Sequence, residues 1–175
     1  MGEIIIYGSN YGTTQRYAEE LSKRTGIRAI SYEGASDIAT FETIIYLGGL
    51  YAGGVKGLKD TIKLIPKSNQ SKIIIITVGL ADTTDEKNTE HIKSSIKAQI
   101  PIEIYDKAKI FHLRGGIDYG KLNFKHKLMM RLLYNKTKKI PQEKQTAEVK
   151  AMIETFNKKV DFVDFNKLNP IMDAI

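Results

Sequence analysis

Apolar runs alternate with polar stretches that carry apolar residues at helical spacing. Glu3 to Tyr7 is an apolar run and predicts a first strand. Thr14 to Lys23 puts Tyr17, Ala18 and Leu21 on one side of a helix, and Ile27 to Ser31 reads as a short second strand. Thr43 to Leu47 predicts a third strand ending in Gly48-Gly49. Val55 to Ile65 predicts a helix stopped by Pro66, which cannot donate to the helical ladder. Lys72 to Val78 holds four consecutive isoleucines, Ile73 to Ile76, as expected of a central parallel strand buried on both faces. A helix over Glu86 to Gln99 precedes Pro101, and Ala108 to Leu113 is the last strand. Val149, Met152, Ile153 and Phe156 recur at helical spacing and mark a closing helix. Five apolar strands alternating with helices argue an α/β, doubly wound parallel sheet with helices on its faces.

That reading puts three loops at the carboxyl ends of strands, the edge where open parallel sheets bind ligands. The first is Ser9-Asn10-Tyr11-Gly12-Thr13-Thr14. Its hydroxyls can donate hydrogen bonds, Gly8 and Gly12 allow close backbone approach, and the unpaired N–H groups of the next helix point at the same spot. A phosphate monoester suits it without a lysine; an ordinary capping turn is the competing explanation. Gly-Lys-Ser/Thr does not follow, so it is no Walker loop, and the Gly-x-Gly-x-x-Gly dinucleotide pattern is missing. The second loop, Gly49-Leu50-Tyr51-Ala52-Gly53-Gly54, pairs flexible backbone with one aromatic ring. The third, Gly79-Leu80-Ala81-Asp82-Thr83-Thr84, follows a glycine with polar groups. Together they suit a planar phosphorylated ligand, although glycines also mark plain turns after strands.

Composition narrows the classes. The chain has 175 residues, 42% hydrophobic and 27% charged, which suits one folded domain with a real core. Cysteine is absent, so disulfides and thiolate chemistry are excluded; this fits a reducing compartment. The first residues enter a strand directly, with no signal-like segment or long apolar span, and the expectation is a cytoplasmic protein. His91, His112 and His126 are scattered and form no metal-binding pattern, so no metal is expected. A Gly-x-Ser-x-Gly elbow is absent around Ser9, which argues against a hydrolase.

The loop Ser9-Asn10-Tyr11-Gly12-Thr13-Thr14 resembles the phosphate loop of the flavodoxins, Thr/Ser-x-Thr-Gly-x-Thr, with Ser9, Gly12 and Thr14 matching and Tyr11 replacing a threonine. Asp37 to Gly49 looks like the family's approach to its second flavin loop. Leu113-Arg114-Gly115-Gly116-Ile117-Asp118-Tyr119 and Leu128 to Leu133 look like the bacterial flavodoxin-like protoporphyrinogen oxidase (menaquinone-dependent dehydrogenase) branch. The resemblance spans Glu3 to about Phe156.

It implies a flavodoxin-like, five-stranded sheet of order 2-1-3-4-5, in a single domain over residues 1–160 followed by a C-terminal tail at 161–175. It also implies non-covalent FMN. The phosphate would be held by Ser9, Asn10, Tyr11, Gly12, Thr13 and Thr14. The ring would lie between Gly49, Leu50, Tyr51, Ala52 and Gly53 on one side and Gly79, Leu80, Ala81 and Asp82 on the other. The third loop lacks the tyrosine usual in electron-transfer flavodoxins, which suggests a flavin face open to substrate. The implied activity is oxidation of protoporphyrinogen IX with a quinone as acceptor; the alternative is an electron carrier serving protein redox partners. No catalytic residue beyond the flavin is implied.

Charge adds a second clue. The formal net charge is +7, and Lys121 to Lys144 contains eight Lys/Arg against Glu143 alone, leaving 19 basic and 19 acidic residues elsewhere. Helical spacing puts Lys127, Arg131 and Lys138 on one side and Leu128, Met129, Leu132 and Leu133 largely on the other. Such a segment can be a plain surface helix, lie reversibly on an anionic membrane, dock an acidic protein, or attract a propionate-bearing tetrapyrrole. Nucleic acid is not expected, because the lysines are confined to one segment and its aromatics, Phe124 and Tyr134, are not interleaved as a run of stacking platforms. Asp118 and Tyr119 either form a turn or line the flavin side of the pocket.

Overall fold

A computed structural model describes residues 2–51, 53–66 and 68–175. Five strands form a parallel sheet: β1 (Glu3–Gly8), β2 (Ala29–Ser31), β3 (Thr43–Tyr51), β5 (Lys72–Gly79) and β6 (Lys109–Arg114), in the order β2-β1-β3-β5-β6. Counting these five alone, the order is the expected 2-1-3-4-5. A short β4 (Gly54–Val55) turns back antiparallel onto β3, pairing Leu50 with Val55.

The strands need apolar residues at every position because both faces are covered. Ile4, Ile6, Ile44, Tyr46, Ile73 and Ile75 face α2 (Leu58–Lys63) and α3 (Glu86–Gln99), meeting Leu58, Ile62, Ile92 and Ile96. Ile5, Ile45, Leu47, Ile74 and Ile76 face α1 (Thr13–Thr25), meeting Tyr17, Ala18 and Leu21. The four isoleucines of β5 thus split two and two between the layers, as the two-residue period of a strand requires.

Three expectations are corrected. The helix foreseen from Val55 starts at Leu58, because Val55 belongs to the β3–β4 hairpin and Gly57, at φ 74, supplies the left-handed residue that opens α2. The closing helix around Met152 is α6 (Ala147–Thr155), and it does not close the sheet. It joins α5 (Phe124–Thr137) and a hairpin of β7 (Gly116–Asp118) and β8 (Lys159–Asp161) in a third cluster with Ile117, Tyr119, Leu122, Met130 and Met152. The sheet face beside α1 is completed instead by the 161–175 segment foreseen as a tail. Its turn at Phe165–Leu168 and short α7 (Asn169–Met172) bury Leu168 and Ile171 completely. A short α4 (Ile102–Tyr105) links α3 to β6. Among the described residues no helix is long and apolar enough to cross a membrane.

Candidate functional site

The loops after β1, β3 and β5 meet at the carboxyl edge of the sheet because these strands are neighbours in register, with Gly8 beside Gly48 and Gly49 beside Val78. In the first loop the Gly12 N–H donates to Ser9 Oγ at 3.0 Å, which tightens the turn. Gly12 then takes φ 87 and opens α1 without any side-chain cap or first-turn acid. The first-turn amides of a 13-residue helix therefore face out beside Ser9 and Thr13 with no carboxylate to compete for them. A Cβ on Gly12 would meet nothing within 4 Å, so Gly12 itself is not crowded. Thr14 is buried, and its hydroxyl lies 3.1 Å from where a Cβ on Gly49 would sit, so loops one and two touch there.

In the second loop Tyr51 swings towards α5, where its hydroxyl meets Met129 Sδ. Gly53 carries φ 79, and its carbonyl accepts from Ser95 Oγ on α3 at 2.6 Å. Ala52 lies outside the described residues. Leu50 folds onto the third loop: a Cβ on Gly79 would stand 2.7 Å from Leu50 Cδ1. A planar ring placed between loops two and three would need Leu50 to turn aside.

The third loop is held from several sides. Arg114 Nε and Nη2 both donate to the Leu80 carbonyl, at 3.2 and 2.8 Å, while the Arg114 guanidinium stacks 3.9 Å over Phe162. Gly115 N–H donates to the Gly79 carbonyl at 2.7 Å. Ala81 is buried, and Asn88 Nδ2 donates to the Asp82 carbonyl at 2.9 Å. The Asp82 carboxylate accepts from the Thr84 N–H and hydroxyl, and these two bonds hold it below the usual carboxylate range.

Over loops one and two lies α5. Tyr11 hydroxyl points at Met130 Sδ at 3.8 Å, and its ring meets His126 edge-on with centroids 5.8 Å apart. Leu80 and Met129 pack on the same cluster as Tyr11, Tyr119 and Met130. Burial pushes the Tyr11 phenol up to about 12, with Tyr51 and then Tyr119 adding to the shift, and burial pushes Tyr119 up to about 12 as well. Both stay neutral donors at physiological pH, and the Tyr119 hydroxyl is buried with no hydrogen-bond partner among the described residues. Of the two roles foreseen for Asp118 and Tyr119, the turn is the one seen. Asp118 makes the turn, accepting from Gly120 N–H at 2.9 Å and facing Lys159 at 3.6 Å, while Tyr119 joins the tyrosine–methionine cluster.

The three loops singled out in the sequence thus come together. Arg114, Gly115, Met129, Met130 and His126 lie around them unforeseen as site residues. Arg114, Gly115, Met129 and Met130 fall in the two stretches noted for their resemblance, Leu113 to Tyr119 and Leu128 to Leu133.

The Flavodoxin domain family profile matches residues 4–144. The chain belongs to that family. No curated protein matches the sequence significantly. Solved structures match the chain at low identity. A flavoprotein from Lactobacillus acidophilus, solved in complex with FMN, is 11% identical, with a TM-score of 0.47 over 65% of this chain and 92% of its own. The flavodoxin, WrbA-like protein from Agrobacterium tumefaciens is 16% identical, with a TM-score of 0.45 over 62% and 74%. A Fusobacterium nucleatum flavodoxin bound to flavin mononucleotide is 16% identical, with a TM-score of 0.45 over 63% and 69%. FMN is the cofactor that membership of the flavodoxin family carries with it. The donor set fits its phosphate: uncapped amides, hydroxyls of Ser9 and Thr13, and an uncrowded Gly12.

Proposed function

We propose that the protein is an FMN-dependent redox protein of flavodoxin type that passes electrons to a protein partner. The uncapped, acid-free start of α1 carries this reading, set at the carboxyl edge of the sheet between two further glycine loops. Bound FMN supplies one- or two-electron redox chemistry. The chain's part is to grip and orient. The Thr13 and Thr14 amides and the Ser9 and Thr13 hydroxyls hold the phosphate, with Asn10 and Tyr11 shaping the turn. Gly49, Leu50, Tyr51 and Gly53 would bound one side of the ring, with Leu50 turned aside from Gly79, and Gly79, Leu80, Ala81 and Asp82 the other. Neutral Tyr11 keeps negative charge away from the flavin loops.

A second reading is oxidation of protoporphyrinogen IX with electrons passed to a quinone. One observation favours it: α5, basic and methionine-bearing, sits directly against Tyr11 and Tyr51. An acidic substrate drawn to those lysines would arrive beside the flavin loops.

Titration of the apoprotein with FMN and with riboflavin tests the cofactor. FMN should bind at micromolar concentration or below and change its fluorescence. Thr13→Ala should weaken FMN about tenfold or more, by loss of one charge-assisted hydrogen bond, and leave riboflavin unchanged. Equal weakening of both would place the phosphate elsewhere. Protoporphyrin formation above the non-enzymatic rate, with menaquinone present and autoxidation suppressed, separates the second reading from the first.

A further inference from the structure

We propose that α5 is a reversible docking element for an anionic lipid surface, seated through the line Phe124, Leu128 and Leu132. These residues stand four apart, so they form one stripe along the helix. They are 80%, 47% and 62% exposed. A helix that only packed on the body of the protein would bury them. Here the buried positions are Met130 and Thr137, and Met129 turns to Tyr51. The stripe is left facing outward.

The surrounding charge identifies the occupant. From Tyr119 to Gln142 there is no acidic residue, and Lys125, Lys127, Arg131 and Lys136 are all exposed around the stripe. A second copy of the chain would bring two such cationic faces together, which like-charge repulsion opposes. A bilayer interface offers the matching pair of environments, acyl chains for phenylalanine and leucine and anionic headgroups for the lysines. Reversibility follows from the small apolar payload and from screening of the charges over about 8 Å at physiological salt.

The orientation has a consequence that rests on the flavin reading above. The opposite side of α5 touches Tyr11 and Tyr51. Docking through the stripe therefore holds the flavin loops about one helix diameter, roughly 10 Å, from the lipid. An apolar electron acceptor dissolved in the bilayer would meet the protein there.

The full chain should co-sediment with phosphatidylcholine vesicles containing phosphatidylglycerol at low salt, and not with phosphatidylcholine alone. Lys125→Gln, Lys127→Gln and Arg131→Gln together should lower partitioning on the order of a hundredfold, at about fivefold per charge. A serine variant combining Phe124→Ser, Leu128→Ser and Leu132→Ser should lower it about tenfold or more while far-UV circular dichroism stays unchanged. The chain has no tryptophan, so Leu132→Trp gives a single reporter. Its emission should shift to the blue on anionic vesicles only. Absence of sedimentation at low salt overturns the proposal. So does binding that the serine variant retains, or an unshifted tryptophan, since either means charge attraction without apolar seating. Self-association that the serine variant abolishes, without vesicle binding, assigns the stripe to a second copy and also overturns it. Running each arm with and without added FMN keeps the outcome separate from the flavin reading.

Discussion

Tyr17 ties three distant parts of the chain through one hydroxyl. It donates to the Arg114 carbonyl at 2.8 Å and accepts from the Asp164 N–H at 2.9 Å, and its ring meets Phe165 edge-on at 5.7 Å. Tyr17→Phe keeps the ring and removes both bonds, so unfolding in urea should show a loss of about 1–3 kcal/mol. A loss near zero would mean that water replaces the hydroxyl. His112 is a different case. Its Nδ1 meets Thr77 Oγ1 at 2.7 Å, its Nε2 is buried with no partner among the described residues, and burial, then Lys93, pushes its pKa from 6.5 down to about 4. Between those values the unfolded chain binds the proton and the folded chain does not. Stability should therefore fall as pH drops from about 6.5 to about 4. Allowing for its partial exposure, the change is on the order of 1–2 kcal/mol. Urea melts across that range should flatten in His112→Gln; an unaltered slope would assign the pH dependence to other groups. Sequence marked Tyr17 as an inward helix position and His112 as no metal ligand. Neither bond was legible, since each partner comes from a strand or segment tens of residues away.

At the scale of elements, α5, α6 and the β7–β8 hairpin form a unit beside the main sheet with its own cluster of apolar side chains. Gly116 is where this unit closes. A Cβ there would stand 2.4 Å from the Val160 carbonyl oxygen and 2.9 Å from Asp161 Cα, both backbone atoms that cannot step aside cheaply. Gly116→Ala should open the hairpin and speed amide exchange across residues 116–161, while β1, β3 and β5 keep their protection. Uniform loss of protection would show that the unit and the sheet unfold together. The strands of the sheet were legible because unbroken apolar runs have one stable use, a doubly covered parallel sheet. The β7–β8 pair was not, because its three-residue strands are too short to carry a period.

For the molecule as a whole, the last residues complete the core. Leu168 and Ile171 are fully buried against the α1 side of the sheet, and Arg24 donates to the Phe165 carbonyl at 3.1 Å. Removing residues 165–175 should cost about 3–6 kcal/mol for these two side chains alone, a large share of the roughly 5–15 kcal/mol that holds a typical domain. A truncated chain that melts within a few degrees of the full one would show that its uncovered face finds other cover.

Sequence by itself determined the sheet, its class and the three loops, because strand periodicity, glycine after a strand and a hydroxyl-rich helix start are local signals. Thr13 and Gly12 carry their chemistry wherever the rest of the chain goes. Tertiary structure alone decided what lies over those loops. The Met129–Tyr51 and Met130–Tyr11 contacts join residues 78 and 119 apart, and no spacing rule connects them. The same holds for the outer side of α5. Leucines at helical spacing predict an apolar face, but whether that face is buried depends on what packs against it. Here the methionines took the inner position and left Phe124, Leu128 and Leu132 outside.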